Sequence, residues 1–272
     1  MPEGDTIHRH ALIFRARFVG KRLRAVLRGG VAEPRYAGLV LASAEALGKH
    51  LVLAFADGEV EKMRIRVHLG IAGNWRFGPR AEHDEYAQRR SPLLLDFEDV
   101  LARVVKPKQV VLEPIALADL LPTARLGPDL LGAEPDYAEI LRRARRPEHA
   151  AGPLGELLLH QGVAAGIGNV YKSELCFLHG LHPFLRVDEV TDEQLERVYR
   201  DATRLLAANL GPWRRTTTAD RSRGELPANG RGRFWVYERK GLPCYRCGTR
   251  IERRAQGREV RSTFYCARCQ AP

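Results

Sequence analysis

No stretch of the 272-residue chain approaches the ~18 to 20 consecutive apolar residues that a membrane-spanning helix requires, so no membrane partner is expected. The opening MPEGDTIHRH lacks the basic-then-apolar layout of a secretory signal. A protein of the cytoplasm, or of the nucleoid if it binds DNA, is the expectation. No segment of roughly 20 to 50 residues recurs, which argues against solenoids and propellers. Cysteine is scarce, at five residues, and acidic residues are outnumbered 33 to 44 by Lys and Arg. The deficit leaves a formal charge of +11, which favours an anionic partner, most commonly nucleic acid. What is present in quantity is apolar residue, 44% of the chain, enough for folded domains with real cores.

The positive charge is concentrated. Between Arg214 and Arg261 stand 14 basic and 5 acidic residues, so +9 of the +11 lies in that segment. Such a patch suits a phosphate backbone.

Three regions differ in pattern. Residues 1–121 open with a helix in which Ile7, Ala11, Phe14 and Phe18 share one face and Asp5 or Thr6 can serve as the cap. Strand-like runs follow at Leu23–Arg28, Leu39–Ala42 and Leu51–Phe55, the last reaching the Asp57-Gly58 hairpin turn and then alternating through Val60, Lys62 and Arg64, and again at Leu93–Phe97 and Val100–Val105. Residues 122–232 read as helices over Tyr137–Arg146, Leu154–Gln161 and from Asn169, then a helix capped by Thr191 with Gln194 and stopped at Gly211-Pro212. Arg, Thr, Ser and Gly dominate 214–232, predicting a mobile linker or loop. Residues 233–272 predict a small β module.

That last module carries Cys244-x2-Cys247-x18-Cys266-x2-Cys269. Each pair can clamp one side of a tetrahedral ion, and the intervening residues suit a β-hairpin, so one structural Zn²⁺ per chain is expected. Four thiolates leave no open coordination position, which excludes a catalytic role for that metal. Disulfides are the alternative, disfavoured in a reducing compartment. Cys176, inside a predicted helix, reads as a packed thiol. The hairpin between the pairs holds Arg250, Arg253, Arg254, Arg258 and Arg261, a rigid basic probe for DNA.

Between two predicted helices, QGVAAGIGN (Gln161–Asn169) carries three glycines. Glycines there allow close backbone approach and present N–H groups at a helix N-terminus, with the Asn169 amide beside them, which suits a phosphate. No strand leads into the turn, so it is not a dinucleotide fingerprint. At the other end of the chain, proline at position 2 permits removal of Met1 and exposes a secondary amine. Such an amine attacks a sugar aldehyde carbon to give a charged iminium, an electron sink that acidifies the neighbouring C–H and so enables β-elimination. An α-amino group titrates near ~8 against ~10.4 for lysine, and more of it is neutral at cellular pH.

Met1-Pro2-Glu3-Gly4-Asp5, Gly48-Lys49-His50, His68-Leu69-Gly70, QGVAAGIGNVYKSE (Gln161–Glu174) and RSTFYCARCQ (Arg261–Gln270) together resemble the formamidopyrimidine-DNA glycosylase/endonuclease VIII family, in its order, over residues 1–270. The resemblance implies an α+β multidomain fold: an N-terminal β-sandwich with flanking helices, a helix–two-turns–helix module and a C-terminal β-hairpin zinc finger. It implies a monomer acting on double-stranded DNA that contains oxidised bases or abasic sites. Carried over by position, Pro2 is the nucleophile, Glu3 the proton donor and acceptor, and Lys49, Gly168, Asn169 and Arg261 hold phosphates; Lys49 and Arg261 also support catalysis.

The sequence departs from the 8-oxoguanine-type pattern at two places. Ile71 stands where that branch has Met, and Lys106-Pro107-Lys108-Gln109-Val110 replaces its Arg-Arg-Phe, so the wedge that fills the flipped base's hole is altered. Pro-Glu-Gly at the start resembles the endonuclease VIII branch, which implies oxidised pyrimidines as substrates. Two other readings stay open: a non-catalytic binder of damaged DNA, and an 8-oxoguanine-type glycosylase. A zinc-ribbon transcription or RNA-binding protein explains the cysteines but not the N-terminus.

Overall fold

The helix over Gly4–Arg17 (α1) turns Ile7, Ala11, Phe14 and Phe18 into one buried stripe, as their spacing requires. The computed structural model describes residues 2–79, 90–97, 99–114, 125–212, 214–219 and 232–271. Met1 and residues 220–231, most of the expected mobile linker, lie outside the described residues. The chain divides into two units, Met1–Pro2 with Thr6–Arg125, and Glu3–Asp5 with Leu126–Pro272.

The first unit is a β-sandwich. One sheet contains β1 (Ala25–Arg28), β2 (Val31–Ala32), β6 (Asn74–Pro79), β7 (Leu93–Phe97) and β8 (Val100–Val105) in the order β2-β1-β7-β8-β6. The other contains β3 (Val40–Leu47), β4 (His50–Asp57), β5 (Val60–His68) and β9 (Gln109–Pro114), in the order β3-β4-β5-β9. Neighbouring strands are antiparallel. Inward residues of both sheets join the α1 stripe in one apolar core, in which Phe14 meets the Trp75 ring edge-on at 4.9 Å. Every residue of central β7 is buried, as an uninterrupted Leu-Leu-Leu run suggests. β2, β6 and β9 are absent from the strands expected above. All three lie at sheet edges, where short strands and strands holding Gly or Pro are tolerated.

The second unit joins helices α2 (Tyr137–Ala144), α3 (Pro147–Ala150), α4 (Leu154–Leu159), α5 (Asn169–Leu178) and α6 (Asp192–Ala208) to a hairpin of β10 (Glu252–Gln256) and β11 (Arg261–Tyr265). Thr191 and Gln194 close the capping box at the start of α6. Val170 and Phe177 of α5 pack with Phe234, Val236, Ile251 and Phe264, so one core runs from helix to hairpin. Cys176 is fully buried, and burial pushes its thiol up to about 12.

The described ends of the expected linker are anchored rather than loose. Asn209, at the end of α6, grips the backbone of Thr216 in both directions at 2.9 Å, and Thr217 N–H donates to the Arg233 carbonyl at 2.8 Å. At these ends the threonine hydroxyls bond to protein: Thr216 donates to the Arg233 carbonyl and Thr218 to that of Gly232.

Candidate active site and metal centre

Glu3 lies at the centre of a buried polar constellation in the second unit. Its side chain is fully buried, and its carboxylate accepts from the N–H groups of Gly168 (2.9 Å), Val170 (2.7 Å) and Tyr171 (3.3 Å). These are the orphan donors at the start of α5, where a helix favours negative charge. The fit depends on Gly168, because a Cβ there would lie 2.4 Å from Glu3 Cδ. The amides expected to face a phosphate are thus taken by the protein's own carboxylate. Gln161 shapes the turn from inside: its Nε2 donates to the carbonyls of Leu159 and Ile167, and its Oε1 accepts from Gly166 N–H.

Gly4 follows Glu3 against the same turn, its N–H donating to the Gly166 carbonyl at 2.9 Å. Asp5 sits within the first turn of α1, and its buried carboxylate serves a partner beyond the helix: Arg215 Nε donates to it at 2.6 Å and Tyr171 O–H at 3.0 Å. Burial works against the Arg215 charge, but Asp5 and then Glu3 outweigh it and raise its pKa; burial and Asp5 raise that of Tyr171. The sequence marks Asp5 as a candidate cap and carries no mark at Arg215. No local signal links residues 210 positions apart.

Asn169 begins α5, and its Nδ2 donates at 2.5 Å to the carbonyl of Ser262, the neighbour of Arg261 on β11. Asn169 and Arg261 are therefore brought to one end of the hairpin. Arg261 Nε donates to Glu259 at 2.8 Å. Below them Lys172 is buried with its Nζ on Thr263 Oγ1 at 2.6 Å, and burial pushes it down to about 8. Glu174 is buried as well, its carboxylate accepting from the backbone of Trp235, Val236 and Tyr237 at 2.8–2.9 Å. Burial, then Glu238 and Glu3, push the Tyr237 phenol up to about 12.

In the sandwich, Lys49 occupies the two-residue turn between β3 and β4, opened by Gly48 at φ +57°. The His50 and His68 rings meet edge-on there at 4.8 Å. Gly70 N–H donates to His68 Nδ1 at 3.1 Å, which leaves the ring proton on Nε2. Burial, the other ring, Arg66, Lys108 and Lys49 push His50 down to about 3; burial, Lys108, Lys49 and Arg66 push His68 to about 4. This concentration of donors and cations suits an anion such as phosphate. Ile71, just beyond, is 62% exposed, an apolar side chain held out in water. Pro2 belongs to this unit and precedes Glu3 by one peptide bond.

The four cysteines Cys244, Cys247, Cys266 and Cys269 gather with their Sγ atoms all within 4.8 Å of one another. Cys244 lies 3.8 Å from Cys269 and Cys247 3.4 Å from Cys266. Tetrahedral zinc with Zn–S near ~2.3 Å needs sulfurs about 3.8 Å apart, so the donor set and its spacing fit a four-thiolate metal site. Gln270 braces it, accepting from Cys266 N–H and donating to the Leu181 carbonyl.

Residues 126–219 match the family model described as the formamidopyrimidine-DNA glycosylase H2TH domain. Over 276 residues the chain is 37% identical to the DNA-(apurinic or apyrimidinic site) lyase Nei2 of Mycolicibacterium smegmatis, covering 99% of each. The chain belongs to the formamidopyrimidine-DNA glycosylase/endonuclease VIII family. Another member, the formamidopyrimidine-DNA glycosylase of Thermus thermophilus, is 31% identical over 283 residues, 99% of this chain and 97% of that one. The family fold extends to the solved structures. The crystal structure of the MutM (Fpg) protein from the same organism superposes with a TM-score of 0.73 at 28% identity, covering 99% and 98% of the two chains. A Lactococcus lactis Fpg mutant bound to tetrahydrofuran-containing DNA gives 0.78 over 100% of both chains at 19% identity, a likeness of fold. Among the described residues, no helix is long and apolar enough to cross a membrane.

Proposed function

We propose that the protein is a bifunctional DNA glycosylase and abasic-site lyase that removes oxidised bases, with pyrimidines as the preferred class, from double-stranded DNA. One observation carries the reading: in a chain of this family, the residue beside Pro2 is a buried carboxylate oriented by three backbone N–H donors. Once Met1 is removed, the Pro2 nitrogen attacks C1′ of the damaged nucleotide. The base leaves with a proton, the sugar ring opens, and an iminium joins Pro2 to C1′. Glu3 supplies and takes up protons during ring opening and elimination. Loss of a C2′ proton expels the 3′ phosphate, a second elimination expels the 5′ phosphate, and water then frees the amine.

Lys49 contacts phosphate and disfavours protonation of Pro2 through its own charge. Asn169 and Arg261 hold phosphates around the extruded nucleotide. Gly168 contributes by admitting Glu3 to the helix N-terminus, and Ile71 enters the space the nucleotide vacates. Cys244, Cys247, Cys266 and Cys269 hold one structural zinc, which supplies rigidity to the hairpin that bears Arg261. In this reading 1–121 is the catalytic sandwich, 122–232 the helix–two-turns–helix module and 233–272 the zinc finger, in a monomer working on nucleoid DNA in the cytoplasm.

The test is borohydride reduction in the presence of abasic-site duplex. A covalent adduct is expected from protein whose intact mass shows Met1 removed; its absence from such protein would take Pro2 out of the mechanism. An excision panel that pairs an oxidised pyrimidine with 8-oxoguanine settles the branch.

A further inference from the structure

We propose that Arg215 is a positioning residue for the reaction, clamping the segment Glu3-Gly4-Asp5 so that the amine of the adjoining Pro2 is held at its working place. The inference rests on the reading of Pro2 as nucleophile.

Three consecutive residues after Pro2 are tied to the helical unit, each differently. Glu3 binds the N-terminus of α5, Gly4 the Gly166 carbonyl, and Asp5 the Arg215 guanidinium. Gly4 lies so close that a Cβ would come 2.8 Å from Gly166 Cα. The Arg215–Asp5 pair is two-pronged, with Nε on Oδ2 and Nη2 on Oδ1. The third nitrogen, Nη1, stands 3.9 Å from Glu3 Oε1, so one planar cation spans both acids. Its charge also lies 5.2 Å from the centre of the Tyr171 ring, whose hydroxyl donates to Asp5 Oδ2 beside the Arg215 Nε.

The clamp has a firm base. Asn209 grips the next residue's backbone from the end of α6, and Arg233 donates to the Arg215 carbonyl at 3.4 Å. With its side chain 11% exposed, Arg215 is withdrawn from solvent screening. Buried ion pairs commonly add little net stability over an apolar filling. What this one supplies is direction: a forked donor that accepts Asp5 in one orientation and leaves the chain preceding it little freedom. Nucleophiles need that, since a displacement near 1 Å costs about 100-fold in rate.

The experiment compares Arg215→Gln, Arg215→Lys, Asp5→Asn and the Asp5→Asn/Arg215→Gln pair with the wild type. Two quantities are read: the single-turnover rate of borohydride-trapped adduct on abasic duplex, and the Kd for duplex containing tetrahydrofuran. Arg215→Gln is expected to slow trapping about 100-fold while Kd stays within about twofold. Arg215→Lys should recover part of the rate, because a point charge cannot reproduce the fork. The pair should be no slower than either single variant, since both act through one contact. Wild-type trapping by Arg215→Gln, parallel loss of rate and Kd, or multiplicative losses in the pair would each overturn the proposal. If Arg215→Gln does not fold, the pair, which leaves no unpaired charge at position 5 or 215, is read alone: slow trapping with intact Kd supports the clamp and wild-type trapping overturns it. Failure of the wild type itself to form an adduct would instead remove the reading of Pro2.

Discussion

Gly168→Ala tests the socket that holds Glu3. The backbone at Gly168 has φ −122° and ψ −161°, which any residue adopts, so alanine brings no conformational strain. Its methyl group would instead sit 2.4 Å from Glu3 Cδ and 2.6 Å from Cγ. The carboxylate must leave, giving up its bonds to Gly168, Val170 and Tyr171 inside a site closed to water. Stranding a buried charge in this way costs about 3 to 5 kcal/mol. In a Glu3→Ala background the methyl group meets nothing of Glu3 beyond Cβ, and the added cost of Gly168→Ala should fall by about 2 kcal/mol or more. Urea unfolding of the four proteins measures the coupling, and hydrogen exchange at the start of α5 reports the loss locally. Equal cost in both backgrounds would refute the steric argument. Gly168→Ala should also abolish adduct formation.

Lys172 and Cys176 give stability opposite dependences on alkaline pH. The folded Lys172 pKa lies at about 8 against an unfolded value near ~10.4; between the two the unfolded chain binds more protons, so stability rises with pH. Cys176, pushed up to about 12, stays protonated where the unfolded thiol ionises above ~8.5, and stability falls with pH. Lys172→Met should therefore lose stability above pH ~8.5 more steeply than the wild type, and indistinguishable slopes of the urea midpoint would count against the buried lysine. Cys244→Ala, or chelation, should loosen the hairpin and weaken duplex binding several-fold; normal affinity in a zinc assay showing no bound metal would contradict the structural role. Ile71→Ala should change unfolding free energy by less than about 0.5 kcal/mol, as expected for an exposed side chain, yet alter excision across different opposite bases. An unchanged excision panel would remove Ile71 from the wedge.

The sequence by itself determined what neighbours in the chain can decide. The α1 stripe follows from the spacing of Ile7, Ala11, Phe14 and Phe18, the start of α6 from Thr191 with Gln194, and the cysteine cluster from two Cys-x2-Cys pairs. Each rests on helical periodicity, cap chemistry or ligand spacing, which operate over a few bonds. The motifs also pointed to Pro2, Glu3, Asn169 and Arg261 as a set, without saying what any of them touches.

Tertiary structure decided the partners. Glu3 reaches Gly168 across 165 residues and Asp5 reaches Arg215 across 210, while Glu174 closes on Trp235, Val236 and Tyr237. The backbone N–H that Glu3 or Glu174 selects is chemically the same at nearly every residue, so no side-chain pattern marks it beforehand. Only when the chain path buries these carboxylates does water disappear as an alternative partner, and the particular helix end or guanidinium left within reach becomes the one that must satisfy them.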